Sequence, residues 1–200
     1  MSGIEFRDDV LVVNREPNDL DELALEFSEI LRELGIEHVF VAGYIAILAG
    51  RARATQDIDV IVESTDERTV QEMVSRLEDS GFWGPAMALS EAHQMLFGGD
   101  RLWVARQDEM VPHLDVTYPN DEFGEASLRE AMAGEIGGKR FPIGPLELQI
   151  AYKLYLDTEK DFEDAVHLYT TFEESLSSTE LEHWVGKLDV IEAYERLQRA

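Results

Sequence analysis

The chain has 200 residues, 44% of them hydrophobic, no cysteine, and 42 Asp plus Glu against 17 Lys plus Arg, for a formal net charge of −25. Such a length holds one good core with at most a small helical appendage. Without cysteine there are no disulfides, thiolate zinc sites or cysteine nucleophiles, so the core alone must hold the fold.

Asn18 is placed to cap a helix running to residue 34, in which Leu20, Leu23, Phe27, Ile30, Leu31 and Leu34 form an apolar stripe that Gly35 stops. A strand over 37–42 leads into Gly43, a short helix over 44–49 ends at Gly50, and a crossing over 51–56 enters a strand over 57–63. A second amphipathic helix is expected over 67–80, with Val70, Met73, Val74 and Leu77 inward. Residues 82–99 carry little pattern beyond a helical piece over 91–96, and specificity is expected there, since loops on a rigid sheet usually carry it. Antiparallel strands over 101–105 and 114–118 follow, then a helix over 127–133. Gly137-Gly138 reads as a hairpin turn before a strand over 140–143. Beyond Gly144 the pattern is all helix, over 145–157, 160–172, 178–187 and 189–199. Two parts are therefore expected, an α/β part over 1–144 and a helical extension over 145–200 packed on it.

No apolar run approaches the roughly 20 residues that cross a bilayer, and the acidic amino terminus lacks a signal-peptide core. A cytoplasmic protein with no membrane partner is expected. Arginine outnumbers lysine 13 to 4, and the acidic residues are spread along the whole chain. This composition suits a halophilic archaeal source, where molar salt screens self-repulsion beyond about 3 Å. The same screening leaves an RNA substrate open despite the charge.

Within the strand Asp57-Ile58-Asp59-Val60-Ile61-Val62, residues two apart share a face, so Asp57 and Asp59 aim at one spot. Like charges that close call for a cation between them. Asp115, in Leu114-Asp115-Val116, alternates away from its apolar neighbours and supplies a third carboxylate. Three such groups suit a pair of divalent ions about 3.5 to 4 Å apart. The five histidines form no metal-ligand pair, although His113 shares its strand face with Asp115.

Gly43, Gly50, Arg53, Thr55, Asp57, Asp59 and Asp115 together resemble the signature of the DNA polymerase β-type nucleotidyltransferase superfamily, in particular small proteins related to the AbiEii toxin and minimal nucleotidyltransferase groups. Pro145 to Leu154 and Glu159 to Ala165 resemble the helical extension of the same group. The resemblance implies a mixed twisted sheet flanked by helices. It implies two magnesium or manganese ions on Asp57, Asp59 and Asp115, and transfer of a nucleoside monophosphate from a nucleoside triphosphate to a hydroxyl on a protein, RNA or small molecule. Gly43, Tyr44, Arg53, Thr55, Lys153 and Lys160 would then contact nucleotide or phosphate. Tyr44 stands where the family has Gly or Ser, a position whose small size lets backbone approach the phosphates.

Other readings compete. Lys153 and Lys160 have the spacing of helix-face ion pairs with Asp157 and Asp164, Arg53 could pair with a nearby acid, and Thr55 suits a strand start. The chain could instead be a weak or inactive binding subunit, such as one half of a toxin–antitoxin pair. A third reading makes the acids mere surface, with Asp57 and Asp59 exposed and separated from Asp115.

Overall fold

The computed structural model describes residues 3–7 and 10–200, leaving Met1, Ser2, Asp8 and Asp9 outside the described residues. Its first elements are two antiparallel strands, β1 (Ile4–Arg7) and β2 (Val10–Val13), each defined by pairing more than by a periodicity that four residues can display. In α1 (Asp19–Glu33), Asn18 accepts from the Asp21 amide while the Asp21 carboxylate accepts from the Asn18 amide. This reciprocal cap satisfies two donors that a first helical turn leaves without partners. Leu23, Phe27, Ile30 and Leu31 are its buried stripe, and Gly35, at φ 69°, ends it.

There follow β3 (His38–Phe40), α2 (Gly43–Leu48), β4 (Asp57–Val62) and α3 (Glu67–Asp79), the last capped by Asp66 and buried through Val70, Met73, Val74 and Leu77. The weakly patterned region resolves into β5 (Phe82–Trp83), a 3-10 turn at Leu89–Glu91 and α4 (Ala92–Phe97). β6 (Leu102–Arg106) and β7 (His113–Thr117) come next, then α5 (Glu122–Arg129), β8 (Met132–Ile136) and β9 (Lys139–Ile143). The carboxy-terminal helices are α6 (Leu146–Leu156), α7 (Glu159–Phe172), α8 (Ser178–Lys187) and α9 (Ile191–Leu197).

The expected helix over 127–133 is corrected. Asp121 accepts from the Gly124 amide and starts the helix at Glu122. Residues Met132–Ile136 form a strand instead, held by β2 on one side and β9 on the other. Gly134 permits that packing, because a Cβ there would stand 3.1 Å from the Phe141 ring. Pairing on both sides outweighs the helix propensity of Met, Ala and Glu.

Among the described residues the strands make one nine-stranded mixed sheet in the order β1-β2-β8-β9-β3-β4-β7-β6-β5. β2 with β8, β9 with β3 and β4 with β7 are parallel; the remaining neighbours are antiparallel. Ile58, Val60 and Val62 of β4 are buried on one face. That face looks toward α1, since His38, the partner of Val62, meets Ser28 of α1 at 2.8 Å. The other face, with Asp59 and Ile61, looks toward α5 and α6. α6 also packs along α7, α8 and α9, and α7 meets α2, so the carboxy-terminal helices reach the turn after β3. No described helix is long and apolar enough to cross a membrane.

Candidate active site

β4 and β7 lie side by side in parallel, with Asp57 opposite His113 and Asp59 opposite Asp115. Because strand residues alternate in phase, these four project from the face away from Ile58, Val60, Leu114 and Val116. Asp57 is exposed, whereas the side chains of Asp59 and Asp115 are 30% and 9% exposed. The reading of the acids as separated surface charges expects Asp59 and Asp115 apart; the register puts them together.

Each carboxylate has a definite setting. Thr55 donates from Oγ1 to Asp57 Oδ1 at 2.8 Å, steadying that side chain. Arg101, just before β6, places Nη1 2.6 Å from Asp115 Oδ2 and 3.4 Å from Asp59 Oδ1. Asp115 Oδ1 is buried without a hydrogen-bond partner. Burial, then the neighbouring Asp57 and Asp115 charges, push the Asp59 carboxyl above its ordinary value, with Arg101 pulling it back. Arg101 is a site residue that the motif does not mark. The signal for it was a rare cation following Gly98-Gly99 at the start of the strand that pairs with Asp115.

His113 is buried and stacks on Trp103, ring centroids 4.3 Å apart. Its Nδ1 donates to the Met110 carbonyl at 3.2 Å, which fixes the ring beside Asp57. Trp103, the cross-strand partner of Asp115, keeps part of its indole open on the same face.

The turn before α2 is built on small residues. Ala42 adopts φ 58° and ψ −123°, a conformation costly for any residue with a Cβ. Its amide donates to Gln149 Oε1 at 2.8 Å, tying the turn to α6. A Cβ on Gly43 would stand 2.6 Å from an Arg53 guanidinium nitrogen, so glycine lets Arg53 lie against the turn. Tyr44 is corrected as a nucleotide contact. It is wholly buried, its hydroxyl donates to Asp21 at 2.9 Å, and its ring packs by Phe40 and Phe141. One residue into α2 the side chain already points to the core, Gly43 is covered by Arg53, and Val41 and Ala42 are the turn residues that border the cavity.

Arg53 and Lys153 converge on Asp164 instead of the carboxylate face. Asp164 is fully buried, with Arg53 Nη1 at 2.5 Å, Lys153 Nζ at 2.8 Å and Arg51 Nε at 2.6 Å. Lys153, only 2% exposed, also reaches Asp161 at 3.2 Å. The helix-face pairs with Asp157 and Asp164 are thus replaced by contacts between helices. Asp157 ends α6 in a left-handed conformation and turns the chain back, which brings α7 against Lys153. Lys160 stands exposed near the start of α7 and makes no ion pair among the described residues.

Beside Asp59 and Arg101 lies a cavity of about 210 Å³ between the sheet and α5 and α6, with Asp121, Phe123, Gln149 and Tyr152 on its walls. Burial, followed by the Asp121 charge, pushes the Tyr152 phenol up. Three hard oxygen donors on one face, one with an orphaned buried oxygen, suit magnesium or manganese. As the side chains stand, however, no group of three His, Asp or Glu residues among the described residues is gathered to hold an ion. Arg101 fills the gap between Asp59 and Asp115.

Sheet, turn and helical extension together make the nucleotidyltransferase fold. The chain superposes on an antigenic nucleotidyltransferase-like protein from Paracoccidioides brasiliensis with a TM-score of 0.58, at 16% identity, over 90% of this chain and 94% of that one. For ANT(2")-Ia in complex with adenylyl-2"-tobramycin the TM-score is 0.51, at 17% identity, over 84% of this chain and 95% of that one. Identities this low establish the shared fold alone. No protein-family model matches the chain, and no curated protein matches its sequence.

Proposed function

We propose that the chain is a metal-dependent nucleotidyltransferase, moving a nucleoside monophosphate from a nucleoside triphosphate to the hydroxyl of a small molecule, RNA or protein. The observation that carries this reading is the register of β4 on β7, which stands Asp59 beside Asp115 with Asp57 two residues upstream. Asp57, Asp59 and Asp115 would hold magnesium or manganese, which when bound neutralises phosphate charge and makes the acceptor hydroxyl easier to deprotonate.

The chain's own groups divide the remaining work. Asp115, buried on the shared face, takes the acceptor proton as general base. The acceptor oxygen bonds to the α-phosphorus while the bond to the bridging oxygen breaks, and pyrophosphate leaves with that electron pair. Thr55 keeps Asp57 in its rotamer, and Gln149 keeps the Ala42 amide in place beside the cavity. The cavity between the sheet, α5 and α6 excludes water from one substrate, with Phe123 and Tyr152 as its aromatic wall. The net charge of −25 suits action at molar salt. The alternative of a silent subunit of a toxin–antitoxin pair drew on Tyr44 blocking the turn, and Tyr44 lies in the core.

Thermal unfolding at molar KCl, with Mn2+ and each nucleoside triphosphate, tests the reading against the Asp57→Ala, Asp59→Ala variant. Ligand at about 100 times its dissociation constant adds roughly 2.7 kcal/mol of stability. A metal-dependent shift in the wild type alone is expected, and pyrophosphate release with an acceptor panel then identifies the second substrate. No shift with any nucleotide overturns the reading.

A further inference from the structure

Three carboxylates on one sheet face need positive charge nearby, and in this structure the chain supplies it from Arg101. The guanidinium touches Asp115 closely and Asp59 at longer range, yet its side chain is 60% exposed. Only the Arg101 end of the pair is open to water, and the 9% exposed Asp115 needs a cation beside it whichever cation that is. Asp115 Oδ1, the oxygen Arg101 does not reach, is buried and bonded to nothing. A hard cation would satisfy that oxygen, whereas the guanidinium in its present place does not. Arg101 also lines the cavity that holds Asp121, Gln149 and Tyr152, so rotation about its side-chain bonds moves the charge from carboxylates to cavity without shifting β6.

We propose that Arg101 is the resting counter-ion of the carboxylate site, that a divalent cation displaces it, and that the released guanidinium binds the phosphates of the nucleoside triphosphate. The proposal rests on the nucleotidyl-transfer reading and adds a positioning residue to it. Metal alone must compete with Arg101, while metal and nucleotide together give the guanidinium a new partner. Binding of the two is therefore mutually reinforcing, by the same factor in each direction. The planar fork suits phosphate oxygens in a way a lysine does not reproduce.

The test is Mn2+ binding, followed by the paramagnetic resonance of the free ion at molar KCl. Wild type is compared with Arg101→Gln, with and without a non-hydrolysable ATP analogue, after circular dichroism has shown both folded. Arg101→Gln is expected to bind Mn2+ alone at least tenfold more tightly than wild type, and to lose the enhancement that the analogue gives. Arg101→Lys should fall between them. Equal or weaker Mn2+ binding by Arg101→Gln overturns the counter-ion role and leaves the transfer reading standing. An analogue enhancement that survives in Arg101→Gln overturns the phosphate role. Absence of Mn2+ binding in both proteins overturns this inference and the transfer reading together.

Discussion

The Tyr44 hydroxyl donates to Asp21, a carboxylate that also caps its own helix and accepts from Arg15 at 3.1 Å. One buried acid thus joins α2, the start of α1 and the segment before it. Tyr44→Phe removes a buried hydrogen bond to a charged group, worth about 1.5–3 kcal/mol. Urea denaturation should show that loss, while Mn2+ and nucleotide binding stay at wild-type levels. A variant that binds nucleotide differently would return Tyr44 to the site.

Asp164 pairs with Arg51, Arg53 and Lys153 at once. Asp164→Ala leaves three crowded cations, of which Arg51 keeps Glu163 and Lys153 keeps Asp161 while Arg53 loses its acid, and should cost about 3–5 kcal/mol. Lys153→Met leaves Asp164 still paired with two arginines, so it should cost less. The order of the two variants in urea denaturation checks the assignment, and the reverse order would refute it.

His38 is buried, its Nδ1 donating to the Ile36 carbonyl and its Nε2 accepting from Ser28. Burial lowers its pKa below the ordinary 6.5, although the Ile36 contact opposes this. The folded state therefore binds the proton less well than the unfolded state. Its contribution to stability is present above 6.5 and is lost as pH falls from there through the folded pKa. Denaturation midpoints between neutral and mildly acid pH should fall in the wild type and fall less steeply in His38→Gln.

Ala42 holds a positive φ of 58°. Such strain costs about 1–3 kcal/mol, and a glycine would lose about 0.4–1 kcal/mol to its greater freedom when unfolded. Ala42→Gly should therefore stabilise the protein by about 1 kcal/mol and keep the bond to Gln149. A destabilised variant in the same denaturation assay would show the turn unstrained.

What could be read from the sequence was what depends on near neighbours. Alternation put Asp57 and Asp59 on one face, and the Asn18 cap with its apolar stripe located α1, because both signals lie within a few residues. Arg101 showed in the sequence only as a cation after Gly98-Gly99, and its partners were not legible, since they are set by the pairing of β6 with β7. Lys153 has an acid at the favoured helical spacing, yet the left-handed Asp157 sends the chain back and makes Asp161 and Asp164 its partners. The inward direction of Tyr44 is set by the three-dimensional backbone at the start of α2, which a sequence motif does not carry. β8 drew its identity from β2 and β9, strands distant from each other in sequence.

Among the described residues β1 and β5 are the edge strands of the sheet. β5 is two residues long, and β1 alternates with exposed Glu5 and Arg7. An unpaired margin is a template on which strands of other molecules can add, and shortness and charge are what prevent it. Concentrated salt removes the long-range repulsion that would otherwise keep so acidic a protein dispersed. Under those conditions colloidal stability passes from net charge to these two strands, and lengthening β5 or making β1 apolar would let molecules associate edge to edge.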